Sequence, residues 1–251
     1  MSHLHGKFVW FEHLSLDIGK ARKFYDNLLG WHTESTPMGG PEPYPLIMNG
    51  NEGIGGFRTS PPGVPAMWMS YLSVADVDAS YKAALAAGAK SLMPPEDFGT
   101  AGRGATLADP TGAVFSIFKS PQGDRPDSAK TAFGDWHWNE LMSGDELKAL
   151  AFYERAFGFE HDSMDMGPMG RYYLLKKDGV MRAGVMRSPM ADTPPLWVPY
   201  VAVADCDSTA TKARDLGAQV IVEPRDIPNV GRFATLIDPQ GAVLAVMKPA
   251  G

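Results

Sequence analysis

The chain carries an internal repeat, and its two copies lie 128 or 129 residues apart. Trp10 and Glu12 return as Trp138 and Glu140, and GRGATLADP of the first copy returns as GRFATLIDP of the second. Solenoid and propeller repeats have periods of about 20–50 residues. A period this long therefore indicates two copies of a whole domain, and residues kept in both copies are the first candidates for function.

Composition argues against several classes of partner. Hydrophobic residues make up 44% and charged residues 21% of the chain, as in ordinary globular proteins. The net charge of −6 and the absence of basic runs disfavour a nucleic-acid partner. No apolar run approaches the roughly 20 residues that a membrane span needs. We therefore expect neither nucleic acid nor membrane as a partner.

The single cysteine and the N-terminal sequence indicate a cytoplasmic location. Cys206 excludes an internal disulfide and a thiolate cluster, and it matches Val77 of the first copy. The segment 1–7 (MSHLHGK) lacks the apolar core of a signal peptide. The sequence leaves a monomer or a homodimer open, since pairing of the tandem copies would give a monomer and exposed edge strands could pair two chains.

The copies span 8–119 and 135–248, and the polar, proline- and glycine-containing segment 120–134 is predicted to be a linker. In the first copy a strand is followed by a helix that Asp17 caps and Gly30 ends, and then by three short strands. The same β-α-β-β-β order returns after Met67. The predicted fold class is α+β, with two tandem domains, each made of two βαβββ units that form curled mixed sheets with helices outside.

Four motifs in this order resemble the vicinal oxygen chelate superfamily, which includes glyoxalase I, bleomycin-resistance proteins and extradiol dioxygenases. They are the β-α-β-β-β order, the helix ending that contains Phe24-Tyr25 and Leu29-Gly30-Trp31, the turn Val74–Asp78 and the hairpin Asp109-Pro110-Thr111-Gly112, and each has a counterpart in the second copy. The resemblance covers nearly the whole chain and is greater to a tandem, glyoxalase-related bacterial subgroup. It implies a substrate pocket inside each curled sheet, where enzymatic members hold a divalent metal on His, Glu or Gln side chains.

The family's metal-ligand positions, carried over by the resemblance, hold unsuitable residues here. They are Trp10, Met69 and Ser116 in the first copy and Trp138, Val198 and Ala245 in the second. None of these suits a hard or borderline divalent ion. We therefore expect no metal and no other cofactor, with an atypical divalent site as the alternative. Its candidate ligands are His13, His32, His137 and His161, with Glu12 and Glu140.

Strand alternation places His13 on the face opposite Trp10 and Glu12, and His137 on the face opposite Trp138. Both histidines are therefore expected to be half-exposed at strand–helix contacts. Trp68 and Trp197 are expected to pack under the helices.

Glu12 and Glu140 each follow a tryptophan by two residues on a face predicted to be buried. A buried carboxylate has a perturbed proton affinity and can serve as a general base or acid. The alternative is a structural ion pair with Arg103 or Arg232, either of which could also hold a carboxylate or phosphate of a ligand. Glu12 and Glu140 are the candidate catalytic residues. The candidate ligand-binding residues are Trp10, Trp138, Tyr44, Tyr172, Met69, Tyr71, Tyr200, Arg103, Arg232 and Ser116.

Three functions are consistent with these residues. The first is metal-free binding of a small, largely apolar or aromatic ligand, as in bleomycin-resistance proteins. The second is a glyoxalase- or isomerase-type lyase, or a dioxygenase, with Glu12 or Glu140 as base or with an atypical metal. The third is a scaffold with vestigial pockets, which the repeated polar residues disfavour, since an idle cavity should fill with apolar side chains. Ligand binding is the preferred prediction, and enzymatic activity is left open.

Overall fold

A computed structural model describes residues 2–37, 42–167, 170–189 and 193–250. Over these ranges the chain forms four helices and sixteen strands in two eight-stranded sheets. The first copy contains β1 (Phe8–Ser15), α1 (Ile18–Leu29), β2 (His32–Thr36), β3 (Tyr44–Asn49), β4 (Glu52–Thr59), β5 (Met67–Ser73), α2 (Val77–Ala86), β6 (Lys90–Asp97), β7 (Arg103–Ala108) and β8 (Val114–Lys119). This is the predicted βαβββ order, twice.

The second copy repeats every element. It contains β9 (Trp136–Ser143), α3 (Glu146–Phe157), β10 (Glu160–Asp165), β11 (Arg171–Lys177), β12 (Val180–Arg187), β13 (Leu196–Ala202), α4 (Cys206–Asp215), β14 (Gln219–Ile227), β15 (Gly231–Ile237) and β16 (Val243–Pro249). None of the helices in the described ranges has the length and apolar character needed to cross a bilayer.

Both sheets are mixed and have the same order. The first runs β2-β3-β4-β1-β5-β8-β7-β6, and the second runs β10-β11-β12-β9-β13-β16-β15-β14. The β1/β4 and β5/β8 pairs are parallel, whereas the last three strands of each βαβββ unit pair antiparallel. The α+β class and the two tandem domains of the prediction are confirmed.

Local sequence explains the limits of the first helix. The side chain of Asp17 accepts a hydrogen bond from the backbone N–H of Lys20 at 3.0 Å, which caps the first turn. Gly30 adopts φ +73°, the left-handed conformation that ends the helix. Between them α1 buries Ala21, Phe24, Tyr25 and Leu28, a helical stripe against the sheet. Asp145 and Gly158 limit α3 in the same way.

Contacts divide the chain into two compact units that do not follow the copies. One unit comprises Met1–Trp10, Met69–Asp127 and Trp138–Trp197. The other comprises Phe11–Trp68, Ser128–His137 and Val198–Gly251. Each unit therefore combines the first half of one copy with the second half of the other.

Hydrogen bonds between buried side chains join the two halves of each unit. In one unit Tyr25 of α1 donates to Asp238, the hairpin aspartate of the second copy, at 2.9 Å. In the other unit Tyr153 of α3 donates to Asp109, the hairpin aspartate of the first copy, at 3.2 Å. Trp68 and Trp197 donate to the tyrosine hydroxyls at 2.9 and 3.0 Å. These tryptophans are buried against the helices, as predicted.

His13 extends the first of these networks, and here the sequence prediction is wrong. The side chain is fully buried rather than half-exposed. Its Nε2 lies 2.8 Å from Oδ2 of Asp238, and its Nδ1 lies 2.6 Å from Oγ of Ser15. His137 is half-buried as expected, and burial lowers its pKa below the usual value for histidine.

Candidate functional site

A buried glutamate, a tyrosine and a glycine come together in each copy. In the first cluster, formed by Glu12, Tyr44, Gly56 and Arg58, the Tyr44 hydroxyl donates to Oε1 of Glu12 at 2.8 Å. Nε of Arg58 lies 2.9 Å from Oε2 of Glu12. Glu12 is 4% exposed, so its charge is held inside the protein by one hydroxyl and one guanidinium.

The second cluster, formed by Trp138, Glu140, Tyr172, Gly184 and Met186, repeats this arrangement. Glu140 is buried, and the Tyr172 hydroxyl hydrogen-bonds to it. Nε1 of Trp138 donates to the same hydroxyl at 2.9 Å. Burial first, and then the Glu140 charge, raise the pKa of Tyr172 well above its usual value. The tyrosine is therefore a neutral hydrogen-bond donor at physiological pH.

The glycines make the contact between glutamate and tyrosine possible. Gly56 is the registered partner of Glu12 in the parallel β1/β4 pair, and Gly184 is that of Glu140 in the β9/β12 pair. A Cβ atom at Gly56 would overlap the Tyr44 hydroxyl, and one at Gly184 would overlap the Tyr172 hydroxyl. Each tyrosine ring thus crosses the strand over a position without a side chain.

Sequence reasoning missed the glycines and Arg58. A glycine inside a strand signals close approach of another group, and Gly56 and Gly184 are matched between the copies. Arg58 is matched by Met186, so the repeat gave no signal that this position pairs with the glutamate.

The ion pairs proposed for Arg103 and Arg232 form elsewhere, which corrects that alternative. Arg103 binds Asp78 at 2.8 Å and Asp97 at 3.1 Å, and Arg232 binds Asp207 at 2.6 Å and Asp226 at 3.3 Å. The carboxylates raise the pKa of both guanidinium groups. Glu12 is paired with Arg58 instead, because Arg58 lies on the adjacent strand β4.

The other candidate residues occupy central strands. Trp10 and Trp138 are half-buried, whereas Met69, Tyr71 and Tyr200 are buried. Tyr71, Ser116 and Thr106 are registered neighbours across β5, β8 and β7. The hydroxyls of Ser116 and Thr106 lie 2.8 Å apart and satisfy each other.

The second copy lacks this hydroxyl pair. Tyr200, Ala245 and Thr235 are the corresponding neighbours across β13, β16 and β15. Because Ala245 replaces Ser116, the buried Oγ1 of Thr235 has no hydrogen-bond partner within the described residues.

The residues at the family's metal positions do not fit a divalent ion. Trp10, Met69 and Ser116 supply an indole, a thioether and a hydroxyl that is bonded to Thr106. In the described ranges no three His, Cys, Asp or Glu side chains form a group that could hold a metal. Of the histidines expected as alternative metal ligands, His13 is hydrogen-bonded to Asp238 and Ser15, and His161 is hydrogen-bonded to Glu154.

A separate groove of about 450 Å³ lies beside α1. It is lined by Gly19, Arg22, Lys23, Asp26, His32 and Thr33. None of these residues belongs to either glutamate–tyrosine cluster.

Two family profiles match the two copies in turn. One described as "Glyoxalase-like domain" matches residues 12–118. One described as "Glyoxalase/Bleomycin resistance protein/Dioxygenase superfamily" matches residues 137–246.

Two curated relatives match along nearly the whole chain. The "Putative glyoxylase CFP32" of Mycobacterium tuberculosis (strain CDC 1551 / Oshkosh) is 40% identical over 248 residues, covering 96% of this chain and 94% of the relative. The "Anthracycline biosynthesis protein DnrV" of Streptomyces peucetius is 30% identical over 268 residues, covering 97% of this chain and 93% of the relative.

Solved structures show the same fold at low sequence identity. The Mn(II)-bound glyoxalase from Novosphingobium aromaticivorans superimposes with a TM-score of 0.65 at 17% identity, covering 99% of this chain and 83% of that one. The 2,2',3-trihydroxybiphenyl 1,2-dioxygenase from Sphingomonas wittichii strain RW1 gives 0.66 at 14% identity, with 98% and 91% covered. With two matched domains and a relative at 40% identity, the chain belongs to the glyoxalase/bleomycin resistance protein/dioxygenase superfamily.

Proposed function

We propose that this protein binds small, largely apolar or aromatic molecules at its two glutamate–tyrosine clusters, without the divalent metal of its enzymatic relatives. The single observation that carries the proposal is the repeated glutamate, tyrosine and glycine, with the tyrosine hydroxyl bonded to a buried carboxylate in both copies. Burying a carboxylate costs free energy, and an idle apolar core would avoid that cost.

The chemistry of the clusters suits a ligand with an aromatic body and one polar edge. Trp138 and Tyr172 provide flat apolar surfaces, and the carboxylate of Glu140 accepts hydrogen bonds from a hydroxyl or N–H group. The relative named for anthracycline biosynthesis supports a polycyclic aromatic ligand, since anthracyclines are of that type.

Proton abstraction next to a carbonyl is the second candidate function. A buried carboxylate in an apolar site can serve as a general base, and relatives named as glyoxylases favour this chemistry. In the first copy both oxygens of Glu12 already have protein partners, the hydroxyl of Tyr44 and the guanidinium of Arg58. In the second copy Met186 stands at the position of Arg58, and Glu140 is the candidate base of that cluster.

Binding can be tested with 2-naphthol as a neutral aromatic probe, titrated by isothermal calorimetry. The wild-type protein should bind it, and Gly56→Ala with Gly184→Ala should abolish binding because each Cβ displaces the tyrosine from its glutamate. Gly144→Ala is the matched control, since its Cβ meets no atom within 4 Å. Binding that survives in the Gly56/Gly184 double variant would place the pocket elsewhere.

Catalysis can be tested separately by deuterium exchange. Hydroxyacetone in D₂O, followed by proton NMR, reports proton abstraction next to the carbonyl. Glu140→Gln should abolish the exchange that depends on the second cluster, and Glu12→Gln tests the first cluster in the same way. Exchange that is unaffected by Glu140→Gln would remove this residue from the mechanism.

A further inference from the structure

Arg182 is a charged residue at a position where the first copy has a buried isoleucine. It lies on β12 two residues before Gly184, and its side chain is only 8% exposed. The matching residue of the first copy is Ile54, which belongs to the apolar core. Removing a charge from water costs free energy unless hydrogen bonds and an opposite charge compensate it. An arginine in this place therefore indicates a role that an apolar side chain cannot fill.

Arg182 lies on the face of β12 that carries the second cluster. Side chains alternate along a strand, so residues 182 and 184 point to the same face of the sheet. A Cβ atom at Gly184 would overlap the Tyr172 hydroxyl and would lie 3.0 Å from Nε1 of Trp138. The arginine therefore stands on the surface to which the phenol and the indole of this cluster belong.

The linker engages the Arg182 guanidinium through one nitrogen. Nη1 donates to both carboxylate oxygens of Asp127, at 2.8 and 2.9 Å. Nε is buried and has no hydrogen-bond partner in the part of the chain that the structure describes. A guanidinium binds a carboxylate best through two parallel N–H groups, and Nε with Nη2 form such a pair. Asp127 therefore holds one side of the group and leaves the Nε side to a ligand.

The charges around Asp127 favour an anionic ligand. Nζ of Lys7 lies 3.1 Å from the Asp127 carboxylate, so this one carboxylate pairs with two cations. Within the group of Lys7, Asp127 and Arg182, one positive charge is therefore not compensated. The buried member of the group is Arg182, because the side chains of Lys7 and Asp127 are 23% and 45% exposed. A ligand carboxylate at Arg182 would compensate the charge where water screens it least.

We propose that Arg182 is the carboxylate-binding residue of the second copy: the Nε side of its guanidinium holds the carboxylate of an aromatic acid whose ring lies against Trp138 and Tyr172. This inference rests on the proposed binding function and names the ligand class of that site. The linker residue Asp127 fixes the orientation of the guanidinium from its other side. The planar pair of N–H donors is specific to arginine, since a lysine ammonium acts as a single point charge.

Two probes of similar shape can test this inference at pH 7, where 2-naphthoate is an anion and 2-naphthol is neutral. The quantity measured is the ratio of their association constants, obtained by isothermal calorimetry. Arg182→Ile should lower the naphthoate-to-naphthol ratio by about tenfold or more, the loss expected for one charge-assisted hydrogen bond. Isoleucine is the residue of the first copy at this position. Arg182→Lys keeps the charge without the planar donors, and its ratio should fall by less.

Asp127→Asn separates ligand binding from attachment of the linker. If Arg182 served only to hold the linker, Asp127→Asn and Arg182→Ile would change the ratio equally. We expect the ratio to fall only in Arg182→Ile, since the asparagine oxygen still accepts from Nη1 and the guanidinium keeps its charge. Arg187→Met is the control for removing a cation from β12, because Arg187 is exposed and pairs with Glu146. It should leave the ratio unchanged.

The outcomes separate this inference from the function on which it rests. An unchanged ratio in folded Arg182→Ile overturns the inference, and so does an equal fall in Asp127→Asn. If circular dichroism shows that Arg182→Ile does not fold, Arg182→Lys decides: a lower ratio supports the inference and an unchanged ratio overturns it. If 2-naphthol binds and the ratio ignores these substitutions, the binding function stands without this residue. If neither probe binds the wild-type protein, both are overturned.

Discussion

The hydroxyl of Tyr25 donates a 2.9 Å hydrogen bond to Oδ2 of Asp238, and so links the first helix of one copy to the last hairpin of the other. Oδ1 of the same aspartate accepts from the backbone N–H groups of Gln240 and Ala242 within its own turn. A single buried carboxylate therefore fixes both the hairpin and its docking on the helix. Tyr153 and Asp109 repeat this relationship in the other unit.

Replacing these tyrosines by phenylalanine should destabilise the protein unequally. Each change removes the hydroxyl that accepts from a tryptophan N–H and donates to an aspartate oxygen, and should lower the free energy of unfolding by about 1–3 kcal/mol. Tyr153→Phe should cost more than Tyr25→Phe, because Oδ2 of Asp238 keeps His13, whereas the position matching His13 is Leu141. Urea unfolding followed by circular dichroism measures the difference, and equal losses would contradict this account.

The pair formed by His13 and Asp238 should make stability depend on pH in acid. Burial alone would raise the pKa of Asp238, but the hydrogen bond and charge of His13 outweigh it and lower the pKa below 3.8. A carboxyl with a lowered folded-state pKa stabilises the fold above its unfolded pKa, and that stability is lost as pH falls below about 4. His13→Leu should lower the free energy of unfolding by about 1–3 kcal/mol at pH 7 and flatten its decline in acid.

The second copy supports the choice of leucine for the His13→Leu variant. Leu141 occupies the matching position in the second copy, so leucine is compatible with the local backbone. Urea midpoints between pH 3 and pH 7, for the wild type, His13→Leu, Asp238→Asn and the double variant, give the coupling free energy. A coupling near zero would show that the two side chains do not stabilise one another.

Sequence patterns predicted the elements well because their limits depend on local chemistry. Asp17 and Gly30 act within one turn of the chain, and β7 has the predicted limits of 103 and 108. The pairing of Asp109 with Tyr153 was not predictable in this way. Nothing within a short segment encodes whether a hairpin docks on the helix of its own copy or of the other.

The burial of His13 and the ion pair of Glu12 show two further limits. Strand alternation predicts on which face of the sheet a side chain lies but not how deeply it is buried, so His13 was expected to be half-exposed. Leu141 at the matching position was the available signal for a buried site. Arg58 is distant from Glu12 in sequence, and only the β1/β4 register brings them together.

Arg103 and Arg232 should contribute little to ligand binding, despite their position in the repeated GR motif. Each guanidinium is committed to two exposed aspartates, and exposed ion pairs are screened by solvent. Arg103→Met and Arg232→Met should leave 2-naphthol affinity and the melting temperature nearly unchanged. A marked loss of affinity in either variant would restore the arginine as a ligand-binding residue.

Adding a hydroxyl beside Thr235 should stabilise the protein, because the buried Thr235 hydroxyl has no hydrogen-bond partner within the part of the chain that the structure describes. Thr106 and Ser116 form a buried hydroxyl pair at 2.8 Å across β7 and β8, while Thr235 faces Ala245 across the corresponding strands β15 and β16. Ala245→Ser should therefore raise the free energy of unfolding by about 1 kcal/mol, because it supplies a partner for a buried polar group. Ser116→Ala should lower the free energy of unfolding, since it removes the hydrogen-bond partner of the buried Thr106 hydroxyl. Urea unfolding of both variants measures the two effects. Because the chain already accommodates serine at the matching position, a destabilised Ala245→Ser variant would mean that the second copy packs more tightly around residue 245 than the first does around Ser116.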